Sequence, residues 1–205
     1  MDEILLALSQ KSFEVRLTQE IYSDFRKTTL KSKGSFSFMP PQYFKWTLES
    51  QRNYQNDGTW IWESFPVGAR TYVKKHSPKE IQLGFLNLIQ DPKTLKKMYT
   101  VKASPQALEK SDACPIKLPQ ETPQSSKGFF RLTPVNKEES GKVMVFSQNK
   151  EYPHFIYILD NTANCTLISF VDFKVKKWNK ENFAFKVTPQ MIIDGAHETR
   201  ENSRK

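Results

Sequence analysis

Between Gly34 and Trp62 large apolar side chains recur at every second position, Phe36 and Phe38, then Phe44, Trp46 and Leu48, the period of strands with one apolar face. Pro40 and Pro41 separate the two runs because neither offers the amide hydrogen a ladder needs, and Asn56-Asp57-Gly58 reads as a hairpin turn leading to Trp60 and Trp62. The same alternation predicts a strand from Phe13 to Ile21, with Phe13, Val15, Leu17 and Ile21 on one side. Further strands are expected over 30–38, 43–48, 59–64, 69–75, 128–134, 142–148, 155–160, 165–176 and 183–187, with Cys165, Leu167, Val171, Phe173 and Val175 sharing a face.

Helical spacing is confined to short stretches. Residues 2–10 fit an amphipathic helix carrying Ile4, Leu5 and Leu8. Ser77-Pro78-Lys79-Glu80 has the form of a capping box with proline at the first helical position, predicting a helix to about residue 90. Asp91-Pro92 ends that helix and starts a shorter one through Met98. The helix over 77–90 carries Ile81, Leu83, Phe85, Leu86, Leu88 and Ile89, more apolar residues than one core face requires, so it should be buried or touch something greasy. Four prolines among polar residues make 103–127 a long surface loop, and 196–205 reads as a polar, disordered tail to a single domain over 1–195. The expected architecture is mainly β, ten or eleven antiparallel strands with two or three helices.

At 205 residues, with 38% hydrophobic and 26% charged content, the chain suits a soluble globular domain and is not a disordered tail. A formal charge of +9 is compatible with nucleic acid, anionic head groups or an acidic partner, but Lys31, Lys33, Lys45, Lys174 and Lys176 alternate with apolar residues as a solvated outer face would. A stacking platform for bases needs rings and cations side by side, which argues against a basic nucleic-acid module. No run reaches the roughly 20 apolar residues of a membrane-spanning helix. Met1-Asp2-Glu3 puts acid where a secretory signal has base, so either the protein is cytosolic or a signal has been removed.

No enzyme is expected. His76, His154 and His197 lack ligand spacing, and no nucleophile elbow, phosphate-cradling loop or Cys-x-x-Cys pair is present, so neither a metal nor another cofactor is implied. Cys114 and Cys165 allow one disulfide, but Cys165 opens an alternating run and reads as a small buried hydrophobe.

Taken in order, FEVRLTQ from Phe13, GSFSF from Gly34 with Pro41, Phe44 and Trp46, Asp57-Gly58 with Trp62, Leu132 to Pro134, and Phe183 and Phe185 before Pro189 resemble the periplasmic outer-membrane lipoprotein carriers, LolA. The resemblance implies an incomplete, half-open antiparallel barrel of about eleven strands with a helical lid over a hydrophobic cavity. It implies a monomeric carrier in the periplasm that takes triacylated lipoproteins from an inner-membrane ABC-type transporter and passes them to an outer-membrane acceptor, LolB. A LolB-like acceptor, or a carrier of another amphiphile, shares the same chemistry. At about 0.8 kcal/mol per buried CH₂, three acyl chains left in water would cost on the order of 30 kcal/mol, so such cargo needs an apolar container.

By the same resemblance Phe44 and Trp46 fall at the cavity and its mouth, with Leu48 continuing their face. Parity adds Phe36, Phe38, Trp60, Trp62, Val15 and Leu17 to the acyl-chain cavity, and Leu83, Phe85, Leu86 and Ile89 to the lid. Pro40 stands where proteobacterial carriers have a basic residue that latches the lid.

Overall fold

A computed structural model of the chain describes residues 9–49, 52–78, 97, 99–104, 114–117, 129–135, 143–148, 152–160 and 162–194. The first half is a meander. Strand β1 (Phe13–Ser23) pairs along its whole length with β2 (Thr28–Met39), from Phe13 opposite Phe38 to Ser23 opposite Thr28. Strands β3 (Tyr43–Leu48), β4 (Asn53–Asn56), β5 (Ile61–Val67) and β6 (Arg70–His76) follow, each antiparallel to its predecessor. The peptide between Pro40 and Pro41, which turns β2 into β3, is cis.

The second half is another meander: β7 (Tyr99–Ser104), β8 (Phe129–Pro134), β9 (Val143–Gln148), β10 (Pro153–Leu159) and β11 (Cys165–Val175). Because β11 pairs with β1, the two meanders join into one sheet, ordered β12-β6-β5-β4-β3-β2-β1-β11-β10-β9-β8-β7. Its last member, β12 (Met191–Ile193), lies parallel to β6. The edges, β12 and β7, do not pair with each other, so the sheet is open.

One face, here the inner face, carries a continuous apolar cluster. Phe13, Val15 and Leu17 of β1, Phe36 and Phe38 of β2, and Phe44, Trp46 and Leu48 of β3 join Ile61, Tyr99, Leu132, Ile156, Ile168 and Phe170. Register explains the assembly: Phe38 lies opposite both Phe13 and Phe44, and Phe36 opposite both Val15 and Trp46. Phe13 meets Phe36 and Phe38 with centroids 5.8 and 5.6 Å apart, and Phe36 meets Trp46 edge-on at 6.1 Å. Such contacts stabilise by about 0.5–1.5 kcal/mol each beyond the area they bury.

The outer face has two separate covers. Tyr22, Phe155, Tyr157, Cys165 and Leu167 form a smaller cluster closed by Ile116, and the Cys114–Cys165 disulfide fastens that cover to β11. Cys165 is buried, as the alternation suggests, but oxidised rather than free. At the other end, the chain leaving β11 crosses the outer side of β3 to β5. The expected strand 183–187 is replaced by a 3-10 turn, Lys180–Phe183, capped reciprocally by Asn179 and Asn182. The correction has a physical cause: Phe183 packs on Tyr43 and Trp178, Phe185 stacks on Trp62, and Gln55 donates to the Phe183 carbonyl at 2.7 Å. The segment lies across the sheet with its rings inserted, instead of along an edge.

Further departures concern unexpected strands and one register shift. Asn53–Asn56, Tyr99–Ser104 and Met191–Ile193 are strands where none is expected, and the polar NYQN of β4 is held by pairing on both sides. In β11 the shared face expected for Cys165 through Val175 breaks at a bulge opposite Glu14 to Arg16. Asp172 there takes a positive φ and Arg16 reaches its carboxylate, which swings Phe173 onto Phe13 at 4.8 Å while Val171 and Val175 remain exposed. The helices expected over 2–10 and 77–90 and the tail 196–205 lie wholly or largely outside the described residues.

Gly34 lies between Leu17 and Leu48, where a Cβ would sit 1.9 Å from the Thr47 carbonyl oxygen. Gly34→Ala should therefore lower unfolding free energy by about 2–3 kcal/mol, read from the urea midpoint. Reduction of Cys114–Cys165 frees a 51-residue separation. It should cost about 2–4 kcal/mol in the same measurement, and the Cys114→Ser/Cys165→Ser double variant should reproduce the loss.

Candidate functional site

The residues expected to line an acyl-chain cavity divide by face. Val15, Leu17, Phe36, Phe38, Phe44, Trp46 and Leu48 all lie on the inner face within one cluster. Phe44, expected at a mouth and so only partly packed, is 1% exposed. Leu83, Phe85, Leu86 and Ile89 lie outside the described residues.

Trp60 and Trp62 are on the opposite face, which corrects the parity reading. Asn56 pairs with Ile61 across a loop of four residues, an even number, so the inward positions pass from even in β3 and β4 to odd in β5, a switch hidden while β4 is not counted as a strand. Ile61 and Glu63 thus face inward beside Asn56 and Tyr54, while Trp62 pairs with Gln55 on the side of Lys45. Lys75 sits 3.9 Å above the Trp60 ring, which remains 36% exposed.

Asp57 organises this loop. Its carboxylate accepts from the Thr59 and Trp60 amides at 2.9 and 2.8 Å and from Trp62 Nε1 at 2.7 Å. Burial pushes the carboxyl upward, but these donors and the Lys75 charge outweigh it and leave Asp57 below the ordinary carboxylate value. Nearby, burial and then the Lys186 charge depress the Lys45 ammonium, where the C-terminal segment crosses the outer face.

Alternation alone does not reveal a polar cluster on the inner face near the β6 edge. Glu63 is only 5% exposed, and its Oε1 accepts from Arg52 Nη1 at 2.7 Å and the Tyr54 hydroxyl at 3.2 Å, while His76 Nε2 lies 3.1 Å from Oε2. Burial, then the adjacent Glu63, raises Tyr54, and the Glu63 charge holds Arg52 above its usual value. The available signal was the parity of Glu63 with Ile61, visible once β4 is recognised. Among the described residues no group of three His, Cys, Asp or Glu side chains is placed to hold a metal ion.

Beyond Leu17 the inner face changes character. Gln19 lies opposite Ser32 and Ile21 opposite Leu30, and with Thr18, Glu20, Lys31, Lys33 and Glu49 they border a depression of about 650 Å³. This is within the roughly 300–1,000 Å³ of small-molecule sites. Its apolar part, Ile21 and Leu30, lies on the same face as the aromatic wall but beyond the Gln19–Ser32 pair, and Leu30 is 58% exposed. Gln19 Oε1 is buried there without a hydrogen-bond partner, and the Ser32 hydroxyl lies 3.5 Å from the Glu49 carbonyl. The arrangement places a hydrogen-bond acceptor between two stretches of hydrocarbon contact on one face.

In sequence, the chain is 30% identical over 95 residues to the outer-membrane lipoprotein carrier protein of Francisella tularensis subsp. novicida, a match covering 45% of this chain and 46% of that relative. The corresponding carrier of Francisella tularensis subsp. holarctica aligns with the same figures, so the chain spans about half the length of the curated relatives it matches. No family model matches the chain. In structure, an uncharacterized conserved protein from Thermus thermophilus superimposes with TM-score 0.51 at 10% identity, covering 94% of this chain and 96% of that one, and shares the fold. A LolA superfamily protein from Nitrosomonas europaea superimposes with TM-score 0.47 at 10% identity, over 89% of this chain and 96% of that one.

The depressed Asp57 acid has a pH signature. Stability from this group is complete above its unfolded value of about 4 and is lost as pH falls through the lower folded value. Asp57→Asn should therefore flatten the dependence of the urea midpoint on pH between about 5 and 2.

Proposed function

We propose that this chain is an envelope carrier that holds the acyl chains of lipoproteins against the inner face of its sheet and moves them from the inner to the outer membrane. One observation carries the reading: an apolar wall runs from Phe38 and Phe44 through Trp46, Leu48 and Leu17 and is followed, past the Gln19–Ser32 pair, by the depression bordered by Ile21 and Leu30. It occurs in a chain whose sequence match is to outer-membrane lipoprotein carrier proteins. In this reading the open sheet acts as a half-open barrel, with Val15 and Phe36 in the same wall. Residues 77–90 serve as its helical cover, bringing Leu83, Phe85, Leu86 and Ile89 to the tails.

The physical task is to offset the cost of exposed hydrocarbon while letting the cargo leave again. Apolar side chains provide the first through non-directional contact, and the absence of any covalent step provides the second. Gln19 Oε1 is suited to accept from an amide N–H at the base of the acyl chains. The Cys114–Cys165 bond supports an oxidising compartment such as the periplasm. Cargo would arrive from an inner-membrane ABC-type transporter and leave to a LolB-like acceptor. The chain itself performs no catalysis.

A synthetic triacylated lipopeptide should bind the purified protein and shift its tryptophan emission to the blue. Leu30→Asp, at a largely exposed wall position, should weaken that binding about tenfold, near 1.4 kcal/mol, with little change in thermal midpoint. Folded protein that takes up no lipopeptide and yields no extractable lipid by mass spectrometry would overturn the reading.

A further inference from the structure

The hairpin joining β1 to β2 ends in residues 24–27, and at its tip Phe25 is 94% exposed. A single exposed ring is common on protein surfaces, and what sets this one apart is its bracing and its neighbours. The tip is also braced. The Asp24 amide donates to Asn164 Oδ1 at 2.8 Å, and Asn164 is itself held by Asp160, which accepts from the Thr162 and Asn164 amides at 2.9 Å. Lys27 adopts a positive φ and pairs with Asp24 at 2.6 Å, while the Arg26 amide donates to Ser23 Oγ at 3.4 Å. The Phe25 ring is therefore presented by an ordered turn tied to the adjacent β10–β11 turn.

Its surroundings are basic. Arg26 follows it directly, and Lys31 and Lys33 rise along β2 from the same end. Glu20 is engaged by Lys31 at 2.9 Å and Asp24 by Lys27, so the acids of the hairpin are already matched, and Arg26 and Lys33 have no ion pair among the described residues. Leu30 and Ile21, the apolar wall of the depression, begin two pairs back from the end of the ladder. A bare aromatic ring with Arg26 beside it, lysines further up β2 and the apolar Ile21 and Leu30 behind it occupy one end of the sheet.

We propose that this hairpin end docks on an anionic lipid bilayer, with the Phe25 ring entering the acyl boundary, Arg26 on lipid phosphates, and Lys31 and Lys33 further up β2 adding long-range attraction. Aromatic and basic side chains are the pair suited to that depth, the ring for the hydrocarbon boundary and the cations for the head groups. The net charge of +9 favours approach to such a surface. Docked this way, the depression opens toward the bilayer, but the contact itself does not require that the depression hold cargo.

The test uses vesicles without lipopeptide. The full chain should cosediment with phosphatidylethanolamine vesicles containing phosphatidylglycerol, and more weakly with phosphatidylcholine alone. Phe25→Ser should reduce binding to the anionic vesicles about tenfold, and Arg26→Gln several-fold with a shallower salt dependence. Phe25 is too exposed for its loss to unfold the sheet, and circular dichroism should confirm this. In the reverse sense, Phe25→Trp should give emission quenched by brominated acyl chains. No cosedimentation, or binding indifferent to Phe25→Ser, overturns the proposal, as does Phe25-dependent capture of a protein without vesicle binding. Lipopeptide uptake that survives such a result would leave the carrier reading standing.

Discussion

Ring packing between β1, β2 and β3 fixes the rest of this structure. Phe38 meets Phe13 on one side and Phe44 on the other, and Phe36 meets Val15 and Trp46, so the three strands share one register. A slip of one residue would send the whole set to solvent. Gly34 extends the constraint, since the approach of β3 at Thr47 leaves no room for a side chain there. The inner face is thereby fixed as apolar from Ile61 of β5 to Leu132 of β8.

An open sheet with so demanding an inner face has to manage its outer face economically. It does so with two local covers. Ile116 and the disulfide close the β10–β11 side, and Phe183 and Phe185 close the β3–β5 side. The second cover also explains Trp62, whose ring stacks on Phe185 at 4.4 Å while its Nε1 is satisfied by Asp57. The outer rings are thus structural partners of the C-terminal segment, and the inner rings remain a separate set.

Alternation made most of this legible. It placed β1, β2, β3, β8 and β9 within a few residues and put Phe36, Phe38, Phe44, Trp46, Leu48, Val15 and Leu17 on one face. What it missed in the strand faces shares one cause, that a strand's face depends on the length of the loop or bulge before it. The four-residue β4–β5 loop inverted Trp60 and Trp62, and the Asp172 bulge divided β11 between two faces. The polar β4 has no apolar period to read and exists because both neighbours pair with it. The Cys114–Cys165 bond depends on a long-range approach that spacing cannot reveal. The aromatic run at 183–187 carries strand spacing but finds its burial across a sheet face.

Polarity along the inner face then decides what the site can do. At the β6 side Glu63 is buried with Arg52, Tyr54 and His76, so the wall there is sealed by a satisfied polar cluster in which a hydrocarbon would gain nothing. At the β1–β2 end the apolar wall is instead interrupted after Leu17 by Gln19, whose Oε1 is an unpartnered acceptor, and Ser32, and resumes at Ile21 and Leu30. In the proposed reading an amphiphile sits at the second end and not at the first, because its tail requires apolar contact and its head requires both water and a hydrogen bond. A nucleic acid would need the reverse, cations beside exposed rings over a broad surface. The described residues offer that pairing at Lys75 over Trp60, on the opposite face. On that proposal a tailed ligand enters from the β1–β2 end, where Leu30 is exposed and the buried acceptor of Gln19 lies next to it.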